Sequence, residues 1–172
     1  MKRLTALILI VSFIFLMSSF TSFESVKKNS ENITFGELIL DNSISPFEID
    51  LCKQLHFSTH PEANVIIQAD AYLPYGVMGV TYKISDSWYL MQLSGNIAND
   101  NERWWTMFHE WAHINQFRTS KLEETNEKQI MWMGAPADFS KKWDKRPWEI
   151  EADEMADRTW DRLIPYVEKP ER

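Results

Sequence analysis

Cysteine and positive charge are both scarce in this sequence. Cys52 is the only cysteine among 172 residues, so no internal disulfide can form. The chain must therefore fold on side-chain packing and on any metal that it binds, and Cys52 is expected to be a small buried hydrophobic residue. Lys and Arg number 18 against 25 Asp and Glu, a formal net charge of -7. That balance lacks the positive field that a phosphate backbone attracts, which argues against nucleic acid as a partner.

The remaining composition is that of one globular domain. Hydrophobic residues make up 44% of the chain and aromatic residues 13%, enough for a single core, and a second domain is not expected. We place this domain at residues 33–172. Residues 23–32 are polar and rich in Lys, Ser, Glu and Asn, which predicts a linker.

Residues 1–22 are predicted to be an export segment. A short positive flank at residues 1–3 precedes an uncharged apolar run at residues 4–20, and Thr21 and Ser22 follow. This order is typical of a secretory signal peptide, while the length of the run leaves an uncleaved N-terminal membrane anchor as the alternative. No cysteine follows the run, which argues against lipid modification. In both cases we expect the domain outside the cytoplasm, secreted, periplasmic or tethered to a membrane.

Hydrophobic periodicity predicts an α+β fold, with a small antiparallel sheet packed on a central helix and on a C-terminal helix. Strands are predicted at residues 64–69, 79–84 and 88–93, and residues 33–41 fit either a strand or the start of a helix. Helices are predicted from Pro46, after Gly95 with an N-cap among residues 99–101, at residues 123–132, and from Pro147 to a stop at Pro165.

The central helix carries the motif His-Glu-Trp-Ala-His at residues 109–113. His109 and His113 lie one turn apart on the same face, so both imidazoles can bind one metal ion at about 2 Å. Glu110 lies about 100° further round the helix, beside the ion, where it can reach a water molecule. Zinc lowers the pKa of a water ligand to near 7, and an adjacent carboxylate can accept its proton. The motif therefore predicts zinc-assisted hydrolysis.

A catalytic zinc site usually has three protein ligands, and the C-terminal helix offers the third. Glu149 and Asp153 are four residues apart and face the same way. Ala152 and Ala156 flank that face, and their small side chains would let the two helices approach closely. Glu149 is the preferred ligand and Glu151 the fallback. Asp153 is expected to hydrogen-bond the outer nitrogen of a ligand histidine.

His-Glu-Trp-Ala-His followed by Glu-Ile-Glu-Ala-Asp resembles the gluzincin, or thermolysin-like, zinc metallopeptidases. The resemblance covers roughly residues 86–163 and is specific at these two motifs. It implies His109, His113 and Glu149 as zinc ligands, Glu110 as general base, Asp153 as the support of a histidine, and a polypeptide as substrate. It also implies that the strand at residues 88–93 is a sheet edge along which an extended peptide could lie.

Several assignments stay open in the sequence. The family's oxyanion-stabilising residue has five unranked candidates: Tyr72, Tyr75, Tyr89, Tyr166 and Arg146. His56 and His60 could form a second metal site, although ordinary loop histidines are favoured. The tryptophans at 104, 105, 132, 143, 148 and 160 could line a substrate cleft, although packing is favoured. The alternative function is a non-catalytic exported zinc-binding domain with a structural or partner-binding role, which would recruit a fourth protein ligand such as His56 or His60. A carboxylate-bridged di-iron site is disfavoured because only one Glu-x-x-His motif is present.

Overall fold

Three α-helices and seven β-strands make up residues 36–125 and 127–170, the part of the chain that the computed structural model describes. The strands are β1 (Leu38–Leu40), β2 (Asn64–Ala71), β3 (Gly79–Lys83), β4 (Trp88–Ser94), β5 (Leu122–Glu124), β6 (Ile130–Trp132) and β7 (Ala135–Pro136). The helices are α1 (Pro46–Thr59), α2 (Asp100–Arg118) and α3 (Pro147–Leu163), with a 3-10 turn at Trp143–Lys145. The predicted α+β class is confirmed. The predictions for residues 1–22 and 23–32 lie outside the described residues.

The main sheet has four strands in the order β1-β2-β4-β3. β3 and β4 pair antiparallel as a hairpin, whereas β1 with β2 and β2 with β4 run parallel. β4 therefore lies inside the sheet, and the prediction that residues 88–93 form its edge is wrong. The edge strands are β1 and β3. The physical reason is that Tyr89, Leu90 and Met91 are buried in succession, as in a strand covered on both faces and paired on both sides.

β5, β6 and β7 form a second sheet, which is antiparallel throughout. The helix predicted at residues 123–132 is therefore wrong. A tight turn interrupts the helical pattern, because Lys128 donates its backbone N–H to the Thr125 carbonyl at 2.8 Å and Thr125 donates to Gln129 at 2.9 Å. Lys128 also has a φ of 59°, in the left-handed region that a right-handed helix does not tolerate. The antiparallel pairing expected from the sequence thus occurs in this sheet and in the β3–β4 hairpin.

Local signals begin and end the helices near the predicted positions. Ser45 and Glu48 form a capping box at the start of α1, each side chain accepting a hydrogen bond from the other's backbone N–H. The Asn99 side chain accepts a backbone N–H at 2.9 Å and caps α2. Pro147 occupies the first turn of α3, which ends just before Pro165. None of the described helices combines the length and apolar character needed to cross a membrane.

α2 is buried around most of its circumference, between the main sheet and α3. Residues 105–114 are buried without interruption. α3 packs on α2 through Ala152 and Ala156, which are both 0% exposed, so the backbones can approach as expected. β3 also lies against α2. These contacts bring the first turn of α3 and the edge of the sheet to the same part of α2.

Cys52 lies in the core under α2. Its thiol donates to the Met107 sulfur at 3.3 Å, and burial raises the pKa of the Cys52 thiol to about 12. A thiol with so high a pKa carries almost no thiolate at neutral pH. The prediction of a small buried residue at this position is confirmed.

Candidate metal centre

Three buried side chains converge where α2 meets α3. The Nε2 atoms of His109 and His113 are 3.1 Å apart. Oε2 of Glu149, in the first turn of α3, lies 3.3 Å from each of them. The three residues are only 3%, 8% and 4% exposed. Within the described ranges, they are the one group of His, Cys, Asp or Glu side chains that could hold a metal ion.

The triangle of ligand atoms has the size that a small tetrahedral cation requires. Metal–ligand bonds of about 2.0–2.1 Å in a tetrahedron separate neighbouring ligand atoms by roughly 3.3–3.4 Å. The measured edges of 3.1, 3.3 and 3.3 Å are close to that separation. The side chains therefore need little movement to bind such an ion.

One atom of the triangle is poorly satisfied by protein groups alone. Oε2 of Glu149 is buried and has no hydrogen-bond partner, although Nε2 of each histidine lies 3.3 Å away. A buried carboxylate without a partner costs several kcal/mol. A cation between the three atoms would remove that cost.

Two further residues orient the imidazoles. Nδ1 of His109 lies 2.8 Å from a carboxylate oxygen of Asp153, and Nδ1 of His113 lies 2.8 Å from Oε1 of Gln116. Because both partners are acceptors, each Nδ1 carries the proton and donates it. Each neutral ring therefore presents the lone pair of Nε2 to the centre of the triangle. The structure gives Asp153 the contact predicted for it.

Glu149 is held so that one oxygen faces the histidines. The indole N–H of Trp148 donates to Oε1 at 2.7 Å, which leaves Oε2 for the metal position. The fallback ligand Glu151 points elsewhere, where it forms an ion pair with Lys121 and accepts from the Gln116 amide at 3.2 Å. The same amide donates to the Trp148 carbonyl at 2.7 Å. Gln116 thus connects the ligand helix α2 with the first turn of α3.

The cluster shifts the pKa values of two of its members in opposite directions. Burial favours neutral His109, but interactions with Asp153 and Glu149 outweigh it and raise the pKa of His109 to about 9. Burial favours protonated Glu149, but His109 and His113 outweigh it and lower the pKa of Glu149 to about 2. In the absence of a metal, a proton on His109 therefore compensates the Glu149 carboxylate at neutral pH.

Glu110 lies next to the triangle but is not part of it. It is 3% exposed, and its Oε2 accepts a hydrogen bond from the Thr81 hydroxyl at 2.8 Å. Thr81 belongs to β3, so the edge strand of the sheet touches this carboxylate. Glu110 has the position beside the ligands that the motif predicts for a group acting on water.

A cleft of about 550 Å³ opens at this place, and its lining includes His109 and Glu110. Trp143, half-exposed in the 3-10 turn, stacks on the His109 ring with centroids 5.7 Å apart and planes at 27°. Gly79 on β3 and Asp153 on α3 also line the cleft. The candidate centre is therefore buried among protein groups and yet borders a cavity large enough for part of a substrate.

None of the five oxyanion candidates lines this cleft. Tyr72, Tyr75 and Tyr166 are exposed, and the buried Tyr89 lies with its hydroxyl 3.5 Å from the Asp86 carbonyl. The Arg146 guanidinium donates to the backbone carbonyls of Lys141 and Phe139.

His56 and His60 also lie outside the triangle. The expectation of a loop position is wrong for His56, because α1 continues to Thr59, whose hydroxyl bonds back to the Leu55 carbonyl at 2.6 Å. Nε2 of His56 donates to the Ala63 carbonyl at 2.7 Å. His60 follows α1, and burial lowers the pKa of its imidazole. Neither ring supplies a ligand atom to the three-residue group.

Four residues of the site were not identified from the sequence: Gln116, Trp148, Thr81 and Gly79. A signal existed for Gln116, which lies three residues after His113 on the same helix and so faces the same side. Trp148 is among the tryptophans for which the sequence favours packing, and nothing in the sequence predicts its contact with Glu149. Thr81 and Gly79 reach the site through the pairing of distant strands, which leaves no local signal.

Comparison with protein-family models, curated proteins and solved structures found no match to this chain. The resemblance to gluzincins therefore rests on the two sequence motifs.

Proposed function

We propose that this protein is a zinc-dependent peptidase that acts outside the cytoplasm. The observation that carries the proposal is the buried triangle of His109, His113 and Glu149 beside the carboxylate of Glu110, at the wall of a cleft. Two imidazoles and one carboxylate are the ligand set of catalytic zinc in thermolysin-type enzymes. Three protein ligands leave the fourth tetrahedral position for solvent.

Zinc suits this donor set better than other common divalent ions. Calcium and magnesium prefer six or more oxygen ligands, whereas this group offers two nitrogens and one oxygen at tetrahedral spacing. The paired orientation of both imidazoles by Asp153 and Gln116 is also the arrangement expected around a metal-binding histidine. These features support zinc as the resident ion.

The proposed mechanism assigns a proton transfer to Glu110. Zinc held here would supply a Lewis acid that polarises a peptide carbonyl and lowers the pKa of water. Glu110 accepts a proton from the attacking water and then donates it to the leaving amine, so that one water is added across the broken C–N bond. With zinc bound at both Nε2 atoms, His109 and His113 would be neutral, and Asp153 and Gln116 accept their Nδ1 protons.

The substrate proposed is an extended polypeptide. β3 is one of the two edge strands of the main sheet, and Gly79 at its start lines the cleft next to Glu110. An edge strand offers unpaired backbone N–H and C=O groups, which can bind a peptide as an additional strand. The edge that supports this mode of binding is β3, in place of the strand at residues 88–93.

Export is part of the same proposal. It rests on the positive flank and the apolar run at residues 1–20, and it allows either a released domain or one tethered through an uncleaved N-terminal segment.

The direct test is Glu110→Gln in the full chain. The variant should keep about one equivalent of zinc by elemental analysis, because the residue is not a ligand. It should lose roughly 10²- to 10⁴-fold in peptide hydrolysis, because the general base is removed. Glu154→Gln, an exposed change on α3, serves as the matched control and should leave hydrolysis unchanged.

Unchanged turnover in Glu110→Gln would refute the proposed base. The alternative, a non-catalytic zinc-binding domain, expects stoichiometric zinc and no hydrolysis by the unaltered protein. It also expects a fourth protein ligand in the zinc-loaded structure.

A further inference from the structure

The hairpin strand β3 contacts Glu110 at two points, and the first is a hydroxyl. Oγ1 of Thr81 lies 2.8 Å from Oε2 of Glu110 and 2.9 Å from the Glu110 backbone carbonyl. A hydroxyl has one proton, so it donates to one acceptor at a time, and an ionised carboxylate is the stronger acceptor. Thr81 therefore restrains one specific oxygen of a carboxylate that is almost completely buried.

At the second point, Glu110 packs against Gly79, which has no side chain. A Cβ built on Gly79 would lie 2.6 Å from Cγ and 2.7 Å from Oε1 of Glu110, and 2.8 Å from Cγ2 of Thr106. Gly79 does not have the positive φ for which glycine is usually needed. The position therefore requires glycine for space, and the space is occupied by the Glu110 carboxylate.

The two contacts involve different oxygens of the Glu110 carboxylate. Oε2 is held by the Thr81 hydroxyl, while Oε1 lies over Gly79, at the part of β3 that lines the cleft. The terminal torsion of a glutamate is soft, so without such restraints the carboxylate could rotate and exchange its oxygens. Both restraints come from one strand, at positions 79 and 81 on the same face of β3.

We infer that Thr81 and Gly79 are positioning residues for Glu110, with Oε2 anchored by Thr81 and Oε1 directed to the cleft to exchange protons with bound molecules. The inference rests on the proposed function, because it concerns the base of that reaction. Neither residue contacts substrate atoms in this role. The edge strand thus serves the base as well as the extended substrate.

The test compares Thr81→Val, which keeps the branched shape and removes the hydroxyl, with Thr81→Ser, which keeps the hydroxyl. Both variants should bind zinc like the unaltered protein. Thr81→Val should lower kcat by up to about 100-fold with little change in KM. The reason is that a base displaced by about 1 Å transfers protons far less efficiently. Thr81→Ser should restore kcat to within a few-fold. If Thr81 were needed only for packing, Thr81→Val and Thr81→Ser would not differ in kcat in this way.

Binding of acetohydroxamate to the zinc-loaded protein gives a readout that needs no hydrolysis. A hydroxamate chelates zinc and shares a proton with a neighbouring carboxylate, so its affinity reports where Glu110 lies. By calorimetry, Thr81→Val should weaken binding about tenfold and Thr81→Ser hardly at all. Gly79→Ala should weaken it as well, while Val80→Ala, a change at the next position of β3, is the control.

The inference is overturned if Thr81→Val binds acetohydroxamate as tightly as the unaltered protein. It survives if peptide hydrolysis is never observed but the hydroxamate affinities still follow the predicted order. In that case the peptidase proposal fails by itself, so the two outcomes can be told apart.

Discussion

Single hydrogen bonds decide which atoms of the centre are available to a metal. Asp153 and Gln116 each accept the Nδ1 proton of one histidine, so both Nε2 lone pairs point inward. Trp148 donates to Oε1 of Glu149 and leaves Oε2 facing the same point. Three electron-rich atoms are thereby held together in a buried place. A proton or a cation must bind there to offset their repulsion.

We predict that metal binding displaces the proton from His109. The pKa of His109 is raised to about 9 in the metal-free protein, so the ring is protonated at pH 7.5 and must lose its proton to bind a metal. Binding at pH 7.5 should release about one proton, and the apparent affinity should rise about tenfold per pH unit up to pH 9. Calorimetric zinc titrations in two buffers with different ionisation enthalpies measure the release.

The raised pKa of His109 also determines how the stability of the metal-free fold changes with pH. A raised pKa means that the His109 proton stabilises the metal-free fold fully below pH 6.5, and this contribution is lost as the pH rises through about 9. Asp153→Asn removes the negative charge beside the ring and should reduce the proton release. Zero release at pH 7.5 in both proteins would contradict the prediction.

The site residues that belong to a sequence motif on a helix could be predicted, and the contacts that depend on strand pairing could not. His109, Glu110 and His113 follow from one helical period, and Glu149 follows from a second motif with a matching partner. The contact of Thr81 with Glu110 spans 29 positions and depends on the order of strands in the sheet. No local periodicity encodes that order.

At the scale of elements, the site depends on how closely α3 approaches α2. Ala152 lies in the interface, is 0% exposed and is one turn from Glu149. We predict that Ala152→Leu lowers the free energy of unfolding by about 1–3 kcal/mol, because the added atoms overpack the interface. It should also weaken zinc binding, since the displaced α3 carries Glu149 away from the histidines.

Two measurements check this prediction: denaturant unfolding of the metal-free protein and competition for zinc with a chelator. Glu154→Leu adds a leucine on the exposed side of the same helix and is the control. If Ala152→Leu destabilised the fold but bound zinc normally, the spacing of the helices would not control the position of Glu149.

Helices and sheets also differed in how well they could be predicted. α1, α2 and α3 were recognised because their caps, prolines and apolar spacing are local features of the chain. The strands β2, β3 and β4 were also recognised, but not their order or direction. Pairing is set by contacts between distant segments, and a strand such as β4 carries no sign in its own residues of which neighbours it has.

At the scale of the whole molecule, negative charge is concentrated at the cleft. The net charge is -7, and the described residues that line the cleft include four carboxylates and neither lysine nor arginine. The four are Glu102, Glu110, Asp144 and Asp153. The indole rings of Trp105 and Trp143 also line it, and such rings attract cations. The cleft therefore favours a positively charged group over a negative one.

If the protein is a peptidase, this charge predicts its preference among substrates. Peptides with Arg or Lys beside the cleaved bond should have a kcat/KM about tenfold higher than matched peptides with Glu at 0.1 M salt, if two partly exposed ion pairs contribute. The difference should shrink at 1 M salt, where the Debye length falls from about 10 Å to about 3 Å.

Asp144→Asn should reduce the preference because Asp144 lines the cleft. Asp161→Asn removes the same charge from a residue paired with Lys169 outside that lining, and an equal effect of both changes would assign the preference to net charge alone.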